Sequence, residues 1–235
     1  MPRGSRNAPG GMVFHVCNRG VGRARIFHKD ADYQAFGRIL AEANDRPTLL
    51  APMRILAYCM MPNHWHMVLW PRTDGDLSAW LRWVTITHTQ RYHAHYHTSG
   101  TGHLYQSRFK SFPVAADPHL LIVNRYVERN ALRAGLVARA EDWPWGSLWQ
   151  RVRGGGAGAP LLSEWPIEIP GDWVGFVNEP QTDAELGEVR HALKRGCPFG
   201  DDAWRARVAG ELALEATLRP QGRPRKAGAA GTETV

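Results

Sequence analysis

The stretch Tyr58-Cys-Met-Met-Pro-Asn-His-Trp-His-Met-Val-Leu-Trp70 combines two apolar runs with two histidines that are separated by one residue. Its apolar flanks predict two strands, over 53–60 and 65–70, joined by a hairpin turn. Because alternate side chains of a strand point to the same face, His64 and His66 lie together on one side of the sheet. Two imidazoles placed in this way can bind one divalent metal ion. The alternative is a half-buried strand that carries two histidines without a function.

The other elements follow in an order that is typical of one fold class. Alternating apolar residues predict strands over 12–18 and 107–114, and helical spacing predicts helices over 29–45, 76–96 and 118–134. Together with the hairpin, they give the order β-α-β-β-α-β-α. This order predicts an α+β protein with a ferredoxin-like sandwich built on a central antiparallel sheet.

The helix predicted over 118–134 has clear boundaries. Asp117 is suited to cap its first turn, Pro118 suits the first helical position, and Gly135 suits the end. Tyr126 and Asn130 are four residues apart and therefore lie on the same side of the helix.

Two arginines extend this helix face, which then suits phosphodiester chemistry. Arg129 and Arg133 join Tyr126 and Asn130 there. A phenol can attack phosphorus, an amide oxygen can bind a metal ion, and guanidinium groups can hold phosphate oxygens. The alternative is a tyrosine packed at the edge of the core beside solvated arginines.

Together these motifs resemble the IS200-like Y1 transposases of the HUH endonuclease superfamily, and within that group the REP-associated tyrosine transposases. The resemblance spans 11–150. Its motifs occur in the expected order: Phe14-His-Val-Cys-Asn-Arg-Gly20, Met61-Pro-Asn-His-Trp-His66, Leu104-Tyr-Gln-Ser-Arg-Phe-Lys-Ser111, Tyr126-Val-Glu-Arg-Asn-Ala-Leu-Arg-Ala-Gly135 and Asp142-Trp-Pro-Trp-Gly-Ser147. The family usually has proline at the position of Ala131, a difference that affects no expected ligand.

The resemblance implies a metal-dependent endonuclease and strand transferase that nicks and rejoins single-stranded DNA. His64, His66 and Asn130 would bind Mg²⁺ or Mn²⁺, and Tyr126 would attack phosphorus to leave a 5′-phosphotyrosine. Hairpin-forming repeat DNA is the implied substrate.

Two other functions remain open. The first is a DNA-binding regulator of the same fold that no longer cuts. The second is a phosphoesterase with a histidine nucleophile, which would require a further histidine where the chain has Val68.

Basic and amide side chains supply the candidate contacts with DNA. Alternation over 106–110 predicts a polar ladder on one strand face. A basic Gly-Arg-Pro motif in the tail resembles an AT-hook, although a solvated tail is the alternative. The candidates are Arg19, Gln106, Arg108, Lys110, Arg129, Arg133, Arg223 and Arg225.

The chain divides into three segments by composition. The transposase-like domain over 11–150 precedes a helical accessory region over 151–218, which begins with a Gly-rich connector, and a basic tail over 219–235. A small helical unit is expected in the second segment rather than a second core.

The composition also indicates the environment. Lys and Arg number 29 against 22 Asp and Glu, for a net charge of +7, which favours a nucleic-acid partner without requiring one. Three scattered cysteines predict a reducing compartment. Because neither a membrane-length apolar run nor a signal peptide is visible, we expect a cytoplasmic, nucleoid-associated monomer or homodimer that has no membrane contact.

Overall fold

The computed structural model describes residues 7–46, 52–154, 159–160 and 162–219. Its strands are β1 (Val13–Arg19), β2 (Arg54–Met61), β3 (His64–Trp70) and β4 (Lys110–Val114). Its helices are α1 (Asp30–Asn44), α2 (Asp76–Tyr96), α3 (Pro118–Glu128), α4 (Asn130–Arg133), α5 (Ser147–Arg153), α6 (Trp173–Asn178), α7 (Asp183–Arg195), α8 (Asp202–Leu212) and α9 (Glu215–Leu218). Short 3-10 turns occur at Val21–Arg23 and Ala140–Asp142. Within these ranges no helix has the length and apolar character needed to cross a membrane.

The four strands form one antiparallel sheet in the spatial order β2-β3-β1-β4. Strand β3 lies between β2 and β1, so that His66 is opposite Cys59 on one side and Cys17 on the other. The strand order and the intervening helices confirm the ferredoxin-like α+β sandwich. Pro62 and Asn63 form the hairpin turn, as the sequence predicts.

Helices α1 and α2 cover the first face of the sheet with an apolar core. Trp65 is fully buried there, and its ring lies 6.0 Å from that of Phe36 on α1. Its indole N–H donates to the hydroxyl of Tyr105 at 3.0 Å, and that oxygen is 2.6 Å from Nδ1 of His88 on α2. This network fixes the segment that precedes β4.

Helix α3 covers the second face, and the C-terminal helices continue the same apolar cluster. Leu120, Val123 and Val127 of α3 are fully buried against the sheet. Trp173 of α6 and Val189 of α7 belong to this cluster too. The C-terminal helices therefore pack on the domain instead of enclosing a core of their own.

The helix that carries Tyr126 begins where the sequence predicts but is divided near its end. The carboxylate of Asp117 accepts from the N–H of His119, and Gly135 ends the second segment with a φ of +69°. At Arg129 the backbone has ψ of −3°, which separates α3 from α4. The expectation of one continuous helix over 118–134 is therefore wrong, although the two segments follow each other without a loop.

Strand β4 is shorter than expected, and this changes the predicted ladder. Its hydrogen bonds begin at Lys110, because the chain leaves the sheet over 107–109 and Phe109 is buried in the first-face core. Gln106 lies before this departure, where its N–H donates to the carbonyl of Arg19 at 2.9 Å. Gln106, Arg108 and Lys110 therefore do not alternate along one strand.

Candidate active site

The hairpin presents His64 and His66 on the second face of the sheet, with ring centroids 5.1 Å apart. Nδ1 of His64 lies 2.6 Å from Oδ1 of Asn63, and Nδ1 of His66 lies 2.9 Å from Nε2 of His15. Each ring is thus held at Nδ1. Within the described ranges no hydrogen bond engages Nε2 of either ring. The two Nε2 atoms are the nitrogens left for a ligand.

His15 belongs to this site although the sequence pattern gives it no role. It lies on β1 opposite Val68 of β3, is fully buried, and stacks on Phe112 with ring centroids 4.7 Å apart. It is 51 residues from His66 in the chain, so only the pairing of β1 with β3 brings them together. The strand alternation that places His15 on the same face as His66 was the available signal.

All three imidazoles are neutral at physiological pH. Burial lowers the pKa of His15 to about 3. Burial, followed by the charges of Arg19 and Arg133, lowers the pKa of His64 to about 4. The pKa of His66 is also held well below its usual value, first by burial, then by the neighbouring His15 and His64, and last by Arg133 and Arg19. A neutral imidazole keeps a lone pair for a metal ion or a proton.

Tyr126 reaches the same site from α3. Its ring is in edge contact with that of His66 at a centroid distance of 5.8 Å, and it is 5% exposed. The guanidinium of Arg133 lies 4.2 Å above the tyrosine ring and donates to Oδ1 of Asn130 at 2.9 Å. Nδ2 of Asn130 is buried without a hydrogen-bond partner among the described residues. The expected grouping of Tyr126, Asn130 and Arg133 is therefore present in the structure.

Arg129 does not join this group. Its guanidinium donates to the carbonyls of Val177 and Asn178, at the end of α6. Buried Arg125 similarly donates to the carbonyls of Glu179 and Pro180. These arginines attach the C-terminal region to helix α3.

A buried carboxylate, which the sequence analysis did not identify, supports the same helix. Glu128 accepts from the hydroxyl of Ser147 and the indole of Trp173, both at 2.6 Å, and pairs with Arg151 at 3.4 Å. Burial raises the pKa of Glu128, against the opposing effect of Arg151 and the hydrogen bonds. The carboxylate joins α3, α5 and α6.

The candidate catalytic side chains line a cavity of about 290 Å³. Its rim carries several of the candidate DNA contacts, while Leu193 of α7 forms part of its wall. The rim residues from the sequence analysis are Arg19, Gln106, Lys110 and Arg133. Arg223 and Arg225, with the AT-hook-like motif, lie outside the described residues.

A larger groove adjoins this cavity. It has a volume of about 1010 Å³ and runs between α2 and the segment over 103–109. Asn18, Gln106 and Ser107 line both the groove and the cavity, so the two adjoin. Arg108, which does not reach the cavity, lines the groove together with Arg82 of α2.

Comparison with known proteins assigns the family. A family model described as IS200-like transposase matches residues 10–130 of the 235-residue chain. The chain therefore belongs to the IS200-like transposase family. None of the curated proteins matches it.

A solved structure has the same fold. It is described as a REP-associated tyrosine transposase bound to a REP hairpin and aligns with a TM-score of 0.51 at 20% identity. The alignment covers 73% of this chain and 100% of that chain. At this identity the likeness establishes the architecture alone.

Proposed function

We propose that this chain is a metal-dependent endonuclease and strand transferase for single-stranded DNA that acts through a 5′-phosphotyrosine on Tyr126. The convergence of Tyr126, His64, His66 and Asn130 in one basic cavity carries the proposal. Membership of a transposase family supports it. We further propose hairpin-forming repeat DNA as the substrate, because the similar solved structure is described with a REP hairpin.

Two imidazole nitrogens and one amide oxygen would hold a divalent ion and leave coordination positions open for water or substrate oxygens. Among residues 7–46, 52–154, 159–160 and 162–219, no cluster of three or more His, Cys, Asp or Glu side chains can share an ion. The third protein ligand that we propose is therefore the amide oxygen of Asn130, which lines the same cavity as His64 and His66. When bound, Mg²⁺ or Mn²⁺ would polarise a non-bridging phosphate oxygen and orient the scissile group.

Tyr126 supplies the nucleophile. Its phenol oxygen would form a bond to phosphorus as the bond from phosphorus to the 3′-oxygen breaks, which leaves a free 3′-hydroxyl on the other strand segment. The phenol gives up a proton as the leaving 3′-oxygen gains one, so the step has no net change in protons. Arg133, above the ring, is placed to stabilise the negative charge that develops on the phenol oxygen.

The attack would occur within one subunit. His66 and Tyr126 of the same chain are in ring contact, so Tyr126 needs no partner chain to reach the histidines. Mixing Tyr126→Phe with His66→Ala should therefore restore no cleavage. Recovered cleavage in the mixture would show that the tyrosine acts in a partner's site.

The groove beside the cavity provides a path for unpaired nucleotides. It adjoins the cavity at Asn18, Gln106 and Ser107, and exposed Ile86 of α2 gives it an apolar wall. Arg82 and Arg108 are placed to hold phosphates while bases rest against that wall. Unstacked bases are needed where a strand is cut at a single nucleotide.

The decisive experiment follows the covalent adduct. Labelled single strands that carry a hairpin are incubated with the protein and Mg²⁺ or Mn²⁺, then separated under denaturing conditions. Wild type should yield a protein–DNA adduct that a chelator prevents. Tyr126→Phe, which removes one oxygen, should bind the DNA and yield none.

Tyr92→Phe is the matched control, because Tyr92 lies on α2 and its hydroxyl contacts His28 outside the cavity. This variant should form the adduct normally. An adduct with Tyr126→Phe would place the nucleophile elsewhere.

One observation favours a second candidate, a DNA-binding regulator that does not cut. Oδ1 of Asn130 already accepts a hydrogen bond from Arg133, which competes for the oxygen that a metal ion would need. Hairpin binding by wild type with no adduct in either metal would establish the regulator.

A further inference from the structure

We propose that His15 is a positioning residue that keeps the proton of His66 on Nδ1 and so presents the Nε2 lone pair to the cavity. This inference rests on the proposed function, in which His66 binds the metal ion through Nε2. His15 would do for His66 what Asn63 does for His64.

The arrangement at His64 shows how such control works. Nδ2 of Asn63 donates to the carbonyl of Arg23 at 3.1 Å, which fixes the orientation of the amide. Its Oδ1 then faces Nδ1 of His64 at 2.6 Å and can only accept. His64 must therefore carry its proton on Nδ1, which leaves the lone pair on Nε2.

His66 has a partner that could act in either direction. Nε2 of His15 lies 2.9 Å from Nδ1 of His66, and either nitrogen could carry the proton between them. If His15 donated, His66 would carry its proton on Nε2, which would block metal binding there. If His15 accepts, Nε2 of His66 is free.

The positive charge around the cavity favours the second arrangement. Arg19 and Arg133 line the cavity with His66, and both act on its ring electrostatically. A lone pair that faces positive charge is stabilised, whereas an N–H in the same place is repelled. Nδ1 of His15 has no hydrogen-bond partner within the described part of the chain in either case, so it does not decide between them.

The position of His15 is rigid enough to enforce this choice. The ring of His15 is fully buried and stacks on Phe112 of β4. Its backbone is held on both sides, opposite Val68 on β3 and Phe112 on β4. A partner on the outer nitrogen of a ligating histidine fixes both its tautomer and its orientation.

The tautomer of His66 can be read directly. Nitrogen NMR of the metal-free protein, with ¹⁵N-labelled histidine assigned through His66→Gln, distinguishes a proton on Nδ1 from one on Nε2. We expect the His66 proton on Nδ1. A proton on Nε2 of His66 in wild type would overturn the inference.

Two variants then test the consequence for binding, with Co²⁺ as the probe because its absorption reports imidazole ligation. His15→Gln keeps an acceptor near the position of Nε2, whereas His15→Leu removes it. We expect His15→Leu to weaken Co²⁺ binding by about 10–100-fold, and His15→Gln to retain most of the affinity. Equal affinity in wild type and His15→Leu would also overturn the inference.

The two readouts separate this inference from the proposed function. If wild type carries the proton on Nδ1 of His66 but binds no Co²⁺ and forms no adduct, the metal-dependent function fails while the role of His15 in setting the tautomer stands. If wild type binds Co²⁺ and His15→Leu binds it equally, the metal site stands and the role of His15 fails. The NMR experiment on wild type needs no variant to fold.

Discussion

The two faces of the sheet differ in chemistry although they are built from alternate residues of the same strands. Trp65 lies in an apolar core between α1 and α2, where its one polar atom is satisfied by Tyr105. Its neighbours His64 and His66 lie on the other face, beside a cavity whose lining includes Arg19, Arg133 and Lys110. Both faces pack against apolar helices, so the difference between them lies in the cavity on the second face, where polar side chains gather.

We expect the largest effect from replacing Trp65 and His66, which are adjacent in the chain but lie on opposite faces of the sheet. Trp65→Ala should lower the free energy of unfolding by about 3–5 kcal/mol, because it opens a cavity in a packed core. His66→Ala should cost less stability, since its ring borders a cavity, but should reduce adduct formation to background. Urea denaturation and the adduct assay measure the two effects. Equal stability losses would contradict the division between the faces.

The C-terminal helices help to cover the second face, and replacing Arg125 tests how firmly they are attached. Arg125→Met removes charge-assisted hydrogen bonds to the carbonyls of Glu179 and Pro180, which should cost about 1.5–3 kcal/mol. Arg207→Met is the control, because Arg207 makes an exposed pair with Glu211 and should change stability by no more than about 0.5 kcal/mol. Proteolysis of the C-terminal helices should accelerate in the first variant alone. Equal protease resistance would argue against fastening by Arg125.

Much of this architecture could be predicted because it depends on local pattern. The bounds of α2 agree with the prediction over 76–96, since apolar residues such as Leu77, Leu81 and Val84 recur at helical spacing along it. The shared face of His64 and His66 follows from strand alternation alone. The ring contact between Tyr126 and His66 was not predicted from spacing, but the helix face that carries Tyr126 was.

The remaining features depend on contacts between distant segments. His15 meets His66 only after β1 pairs with β3. Arg129 was expected beside Tyr126, but carbonyls from α6, 48 and 49 residues away, bind its guanidinium. The ladder over 106–110 failed because burial of Phe109 takes the chain out of the sheet. No local pattern contains these partners.

Acid should destabilise both faces through their buried neutral histidines. Burial lowers the pKa of His15 and of His88, each to about 3, so the unfolded chain takes up these protons first as the pH falls below about 6.5. The stability is thus fully present above pH about 6.5 and is lost towards pH about 3. Each ring should contribute a slope of up to about 1.4 kcal/mol per pH unit.

Replacing each buried histidine in turn shows which face of the sheet gives rise to the pH dependence of stability. His88→Gln on the first face and His15→Gln on the second should each flatten the decline by about one proton. Urea denaturation of metal-free protein between pH 7 and pH 5 measures it. An unchanged slope in both variants would show that these rings are not the source of the acid sensitivity.

The smallest effect concerns Lys110 on the charged rim of the cavity on the second face. Lys110 is exposed beside the cavity and is opposite Cys17 of β1, so its ammonium group can reach a phosphate of a strand bound there. Each phosphate contact with a single strand contributes about 0.7 to the slope of log K against log salt. Lys110→Gln should lower the slope by that amount and leave unfolding unchanged.

Lys29→Gln is the control, because Lys29 contacts His95 at the edge of α1 and α2, on the first-face side of the sheet, and should not alter the slope. Binding of single-stranded DNA measured across a range of salt concentrations decides between them. If both variants lower the slope equally, DNA is not confined to the catalytic face. If neither does, Lys110 makes no phosphate contact, and the strand must be held by Arg19, Arg133 and the groove.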